Sequence, residues 1–81
     1  MLFIQSYIEK ILSKADYEYD DSTQSWCASV DILPGAYSQG NTVEEARNNL
    51  AEVIEDYIFV SLYEKQQLPN FKKFGQKIVN A

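Results

Sequence analysis

The chain has 81 residues, a formal net charge of −5 and a hydrophobic fraction of 46%. Such an apolar content excludes a disordered chain, and the length fits one small domain, residues 1–81, that is marginally stable alone. The acidic balance argues against direct nucleic-acid binding, because contact with phosphate backbones normally begins with a basic patch.

The first predicted element is an amphipathic helix within residues 1–14. Apolar residues follow helical spacing there, at Ile4, Tyr7, Ile8, Ile11 and Leu12. A helix this short is stable only when it packs on another surface. We therefore expect it to help in covering an apolar surface, within the chain or between copies.

Residues 15–40 change to the two-residue period of β-strands. Tyr17 and Tyr19 alternate with acidic residues, and a second alternating stretch surrounds Trp26. Polar residues 21–24 between them predict a hairpin turn.

A second turn is predicted at residues 33–35, where Pro34 fixes one φ angle and Gly35 permits a positive one. A third strand, around residues 36–39, ends at Gly40. Because the connections are short, we predict a three-stranded antiparallel meander.

A capping box opens the main predicted helix, residues 42–65. The Thr42 hydroxyl can accept a hydrogen bond from the Glu45 amide, and the Glu45 carboxylate can reach back to the Thr42 amide. The predicted buried face carries Val43, Ala46, Leu50, Val53, Ile54, Tyr57 and Ser61. Residues 66–81 include a short last strand around 77–79, so the predicted order is α-β-β-β-α-β, an α+β fold.

The usual catalytic and metal-binding motifs are missing from the sequence. There is no histidine to act as a general base, one cysteine cannot form a zinc site, and no phosphate-binding glycine loop occurs. We expect no catalytic residue, no cofactor and no metal, and therefore a binding protein. One alternative is that the carboxylates of the first strand hold a divalent cation and support hydrolysis.

The sequence also predicts the compartment. Cys27 is the only cysteine, which fits a reducing cytoplasm. The apolar start ends at Gln5, and no apolar run approaches the roughly 20 residues that span a bilayer. We expect a cytoplasmic protein that does not contact membranes.

The second half of the main helix is apolar around most of its circumference. Phe59 lies about 180° from Leu50 on the helical wheel, and Leu62 and Tyr63 flank it. Either the N-terminal helix covers this patch within the chain, or the patch is a protein interface, and both hold if that helix completes a dimer. We expect a dimer or tetramer that forms through Tyr7, Ile11, Phe59, Leu62 and Tyr63.

Several short motifs, in their order and spacing, resemble the HicB antitoxin family. They are Tyr17-Glu18-Tyr19-Asp20, Trp26-Cys27-Ala28, Leu33-Pro34-Gly35, the eight residues from Gln39 to Ala46, Ile54-Glu55-Asp56-Tyr57 and Leu68-Pro69. The resemblance implies a partial RNase H-like fold that lacks nuclease carboxylates and is not catalytic. HicB proteins bind HicA toxins, small basic proteins that cleave mRNA, and cover the RNA-facing surface of the toxin.

The resemblance implies an antitoxin of a type II toxin–antitoxin system with a HicA-like toxin as its partner. The expected contact residues are Asp16, Glu18, Asp20, Asp21, Asp31 and Tyr37. An orphan binding module that self-associates and has another partner is an alternative, and a metal-dependent nuclease is a third hypothesis. Many HicB antitoxins carry a C-terminal DNA-binding domain, which we do not expect in a chain that ends at Ala81.

Overall fold

The fold is given by a computed structural model, which describes residues 2–64. The elements are α1 (Leu2–Leu12), β1 (Asp16–Asp20), β2 (Ser25–Ser29), β3 (Tyr37–Gly40) and α2 (Val43–Tyr63). The strands form one antiparallel sheet in the order β1-β2-β3. The predicted α+β class, the three-stranded meander and the long helix on it are confirmed. The predicted last strand lies outside the described residues.

Strands β1 and β2 form a hairpin in which Asp16 pairs with Ser29 and Asp20 pairs with Ser25. Because side chains alternate between the faces of a strand, this register places Tyr17 beside Ala28 on the face towards the helices. The acidic residues of β1 therefore point to the opposite face, as the alternation in the sequence predicts.

The connection from β2 to β3 contains the predicted proline–glycine turn. The Ala36 amide donates to the Leu33 carbonyl at 3.0 Å, and Gly35 adopts a φ of 84°. A positive φ at this position is why glycine is needed after Pro34. The turn also carries the Leu33 side chain into the core, where it is fully buried.

The start of α2 is capped much as predicted, with one difference. The Glu45 amide donates to the Thr42 hydroxyl at 3.0 Å. The Glu45 carboxylate, however, accepts from the Asn41 amide at 3.2 Å, not from Thr42. The carboxylate thus reaches one residue further back and satisfies an amide just before the helix.

Two short hydrogen bonds and one position without room for a side chain hold helix α2 against β3. The Ser38 hydroxyl donates to the Ala46 carbonyl at 2.6 Å, and the Asn49 amide group donates to the Gln39 carbonyl at 2.7 Å. Beside them, a Cβ atom on Gly40 would lie 2.4 Å from the Ala46 nitrogen. This junction fixes how α2 crosses the sheet.

The core lies between the sheet and the two helices. The inner face of α2 buries Ala46, Leu50, Ile54 and Ile58 completely. Helix α1 packs on α2 and adds five buried apolar side chains to the same cluster: Ile4, Tyr7, Ile8, Ile11 and Leu12. A surface ion pair of 3.1 Å between Arg47 and Glu9 also joins the helices, although an exposed pair of this kind adds little stability.

Two of the residues expected to take part in self-association, Tyr7 and Ile11, lie in the core of their own chain. Their side chains are only 1% and 2% exposed, because the apolar face of α1 completes the core of its own chain. Burial, followed by the nearby Tyr57, raises the pKa of the Tyr7 hydroxyl above its usual value. Neither helix in residues 2–64 combines the length and the apolar composition that crossing a bilayer requires.

Candidate protein-binding face

The sheet has one face that neither helix covers, which we call the outer face. It carries the acidic residues of β1, Cys27 of β2, and Tyr37 and Gln39 of β3. The pairing register arranges these side chains in rows across the sheet. The acidic side chains therefore occupy one edge of the outer face, and Tyr37 and Gln39 occupy the other.

Two rows define the middle of the outer face. One runs from Glu18 through Cys27 to Gln39, and the Gln39 side-chain amide lies 3.7 Å from the Cys27 sulfur. The next runs from Asp16 through Ser29 to Tyr37, which is 63% exposed. The acidic side chains of β1 are thus separated from the exposed ring of Tyr37 on β3 by the width of β2.

An open hollow of about 290 Å³ lies where β1 meets the hairpin turn. It is lined by Glu18, Tyr19, Asp20, Asp21 and Cys27, and we call it the acidic hollow. Glu18 and Asp21 are exposed to solvent. Three carboxylates around one hollow favour a cationic side chain from another molecule, since lysine and arginine pair with carboxylates.

The turn holds one of these carboxylates in place. The Ser22 hydroxyl donates to one Asp20 carboxylate oxygen at 2.6 Å, and the Ser22 amide donates to the same oxygen at 2.9 Å. These bonds, the hydroxyl first, lower the pKa of Asp20. The carboxylate is therefore charged at neutral pH and has a fixed orientation.

Tyr19 is part of this region, although it is not among the predicted contact residues. Its side chain is 46% exposed, and its ring meets that of Trp26 edge-on, with 5.5 Å between the centroids. The signal available in the sequence is the position of Tyr19 next to the polar hairpin turn. Tyr19 gives the acidic hollow an aromatic wall.

The six predicted contact residues do not all come together. Glu18, Asp20 and Asp21 line the acidic hollow, and Asp16 lies on the same strand face as Glu18. Tyr37 is on the far edge of the outer face. Asp31 is exposed in the turn that follows β2 and does not line the acidic hollow.

The same carboxylates are candidates for metal ligands. Within residues 2–64, no three Asp, Glu or Cys side chains come together as a metal site would require. The hypothesis of a metal-dependent nuclease therefore has no metal site within residues 2–64 to support it.

The end of α2 presents apolar side chains to solvent. Phe59, Leu62 and Tyr63 are 54%, 45% and 89% exposed, and Val60 is 53% exposed. Helix α1 lies against another side of α2 and does not bury them. Of the two explanations for the apolar patch, coverage by α1 is thus wrong.

Comparison with known proteins gives a family and a fold. The family model described as UPF0150-like matches residues 6–69. The crystal structure of TTHA0281 from Thermus thermophilus superposes with a TM-score of 0.77 at 24% sequence identity, covering 83% of each chain. At that identity the likeness concerns the fold. No curated protein matches this chain in sequence.

Proposed function

The chain belongs to the UPF0150-like family, and we propose that it is a HicB-like antitoxin of a type II toxin–antitoxin system. In this role it neutralises a HicA-like, mRNA-cleaving toxin by protein–protein contact and not by catalysis. The motifs shared with HicB proteins support the proposal, since they run along most of the chain.

The observation that carries the proposal is the acidic hollow on the face of the sheet that neither α1 nor α2 covers. A toxin that binds RNA must present basic side chains, and these can enter a hollow lined by Glu18, Asp20 and Asp21. Complementary charge steers the two proteins together and raises the association rate. The antitoxin would then occupy the surface that the toxin uses for RNA.

Aromatic residues beside the acids add a second kind of contact. Tyr19 borders the acidic hollow, and Tyr37 lies across the outer face from Asp16. Tyrosine is enriched among residues that dominate binding energy at interfaces. We propose that these two rings pack on the partner while the carboxylates pair with its basic groups.

The test is binding and inhibition of a HicA-like protein encoded by the gene next to that of this chain. The double variant Glu18→Lys/Asp21→Lys reverses two charges of the acidic hollow. The matched control, Glu52→Lys/Glu55→Lys, makes the same change of net charge at exposed positions of α2. We expect the first variant to weaken binding by about tenfold or more, and the control by far less.

The same samples should be assayed for RNA cleavage by the toxin. Wild-type chain and the α2 control should suppress cleavage at equal concentrations, whereas the variant of the acidic hollow should not. Equal losses in both variants would show that only overall charge matters. If the wild-type chain does not bind the HicA-like protein, the proposed antitoxin function is refuted.

A second candidate function is an orphan module that self-associates and has another partner. It is favoured by the exposed apolar side chains of Phe59, Leu62 and Tyr63 at the end of α2. Self-association and toxin binding are compatible, because these residues lie on α2 and the acidic hollow lies on the outer face.

A further inference from the structure

The side of β3 that points away from β2, which we call the β3 edge, is defined by the pairing of the sheet. In an antiparallel pair, residues whose main-chain groups bond the partner strand alternate with residues whose groups point away from it. The Val30 amide donates to the Ala36 carbonyl at 3.4 Å, so this opposite pair is a bonded one. By alternation in the same register, the main-chain groups of Tyr37 and Gln39 point away from β2, at the β3 edge.

One of these outward groups already has a partner on α2. The Asn49 side-chain amide donates to the Gln39 carbonyl at 2.7 Å, a short bond between an amide nitrogen and a carbonyl oxygen. Asn49 lies about one helical turn after Ala46, whose carbonyl accepts from the Ser38 hydroxyl. The two bonds connect successive turns of α2 to successive residues of β3, and together they hold Asn49 at the β3 edge.

The Gln39 carbonyl is a group that an added strand would need. A strand that joins a sheet donates its amides to the outward carbonyls and accepts from the outward amides. The Asn49 side chain competes with such a strand for the Gln39 oxygen. An added strand must therefore displace this side chain or share the oxygen with it.

The composition of β3 suits pairing with a copy of itself. None of its four residues is charged, so two copies of the strand meet without repulsion between like charges. If Ser38 lies opposite Ser38 of a second copy, each Tyr37 lies opposite a Gln39. Because the main-chain groups of these two residues point outward, each such pair can exchange both of its main-chain hydrogen bonds.

We propose that Asn49 is an autoinhibitory contact that keeps β3 from pairing with β3 of a second copy. While its side chain holds the Gln39 carbonyl, the β3 edge is closed to a further strand. When the side chain is removed, two sheets can join through β3. Association through Phe59 is separate from this junction, since Phe59 lies about 15 Å further along α2.

The contact has a consequence for the outer face. Tyr37 and Gln39 carry their side chains on that face, so joining two sheets would place the Tyr37 ring of one copy beside the Gln39 side chain of the other. The ring would then be less accessible to any other protein. Asn49 thus keeps Tyr37 exposed, whatever partner the outer face binds.

The test compares two neighbouring asparagines of α2 in the full chain. Asn49→Ala removes the donor to Gln39, whereas Asn48→Ala changes an exposed residue on the side of the helix away from the sheet. We expect Asn49→Ala to strengthen self-association by roughly tenfold or more, since neither copy then has this hydrogen bond to break. Sedimentation velocity over a range of concentrations measures the effect. Asn48→Ala should match the wild type, and an unchanged profile in Asn49→Ala would overturn the proposal.

Amide hydrogen exchange locates the new contact. In Asn49→Ala, the amides of Tyr37 and Gln39 should exchange more slowly as the protein concentration rises, because they then donate to a second copy. Stronger association without this slowing would place the contact elsewhere and overturn the proposal. Slow exchange of both amides in the wild-type chain at every concentration would show that the β3 edge is already paired, with the same consequence.

A double variant tests the need for the β3 edge itself. Asn49→Ala/Tyr37→Pro removes the outward amide of Tyr37 at the first residue of an outer strand, a position where proline is tolerated. We expect self-association to return to the wild-type value. Association as strong as in Asn49→Ala alone would contradict pairing through β3.

A further control separates the opening of β3 from a general loss of stability. Thr42→Ala removes the hydroxyl that caps α2 through a 3.0 Å bond from the Glu45 amide, and so lowers stability while Asn49 stays in place. We expect no gain of self-association in this variant. An equal gain in Thr42→Ala and Asn49→Ala would show that partial unfolding causes the association, and the proposed role of Asn49 would be wrong.

Discussion

At the residue scale, hydrogen bonds from Ser22 in the hairpin turn stabilise the charged form of Asp20. Both donors of Ser22 stabilise the ionised carboxylate and lower its pKa below 3.8. The folded state thus gains stability from Asp20 at pH values above its unfolded pKa. That gain disappears as the pH falls through the lower pKa of the folded state, because the neutral carboxyl group then predominates in both states.

We predict that Ser22→Ala raises the pKa of Asp20 towards 3.8, since the hydrogen bond that lowers this pKa most is lost. The side-chain carboxyl ¹³C shift of Asp20, followed by NMR through an acid titration, measures the change. Ser13→Ala is a suitable control, because Ser13 is an exposed serine whose hydroxyl donates to a carbonyl in α1. A titration midpoint that does not move in Ser22→Ala would contradict this assignment of the cause.

At the scale of the elements, β3 and α2 approach each other closely, and Gly40 is the residue that permits it. A Cβ atom at this position would meet the backbone of Glu45 and Ala46, which cannot move without shifting the helix. The hydrogen bond from Ser38 to Ala46 holds the same two elements together. Glycine is therefore required where the chain turns from strand to helix.

Gly40→Ala should lower the free energy of unfolding by about 1–3 kcal/mol, the usual range for an overpacked site. Urea unfolding followed by circular dichroism provides the measurement. Gly35→Ala serves as the comparison, because nothing lies within 4 Å of its added Cβ and only the positive φ is unfavourable. The prediction fails if Gly35→Ala proves the more destabilising of the two.

The elements themselves could be predicted because each has a strong local signal. Alternation defines β1 and β2, and the Thr42 cap marks the start of α2. What α1 packs against could not be predicted, since a helical period shows that a face is buried without identifying the partner surface. This is why Tyr7 and Ile11 were assigned to self-association although they lie in the core of their own chain.

The part of the candidate site that follows from the two-residue alternation of β1 could be predicted from the sequence. Alternation alone places Asp16 and Glu18 on a common face. The grouping of Asp21 and Tyr19 around the acidic hollow depends on the shape of the hairpin end, which the residue pattern does not determine. Asp31 failed to join them for the same reason, because it follows the last residue of β2.

At the scale of the molecule, α2 carries most of the large apolar side chains that are exposed within residues 2–64. Phe59 and Leu62 lie on a side that neither the sheet nor α1 covers. An exposed aromatic and a leucine on one helix side are typical of contacts between protein chains. We therefore expect copies of the chain to associate through this side of α2.

We predict that Phe59→Asp weakens self-association by about tenfold or more, because a charge then replaces an interface aromatic. The free energy of unfolding of the monomer should change little, since the side chain is 54% exposed. Sedimentation velocity over a range of concentrations measures the effect. Val60→Asp, at an equally exposed neighbouring position, is the control, and an unchanged profile in Phe59→Asp would rule out this interface.

Strands β1 and β3 form the two margins of the sheet in residues 2–64, and each has main-chain groups directed away from β2. Such margins tend to recruit strands from other molecules. On β1, however, an identical strand aligned antiparallel would bring carboxylate against carboxylate at alternate positions. The charges that attract a basic partner thus also keep copies of the chain from stacking edge to edge.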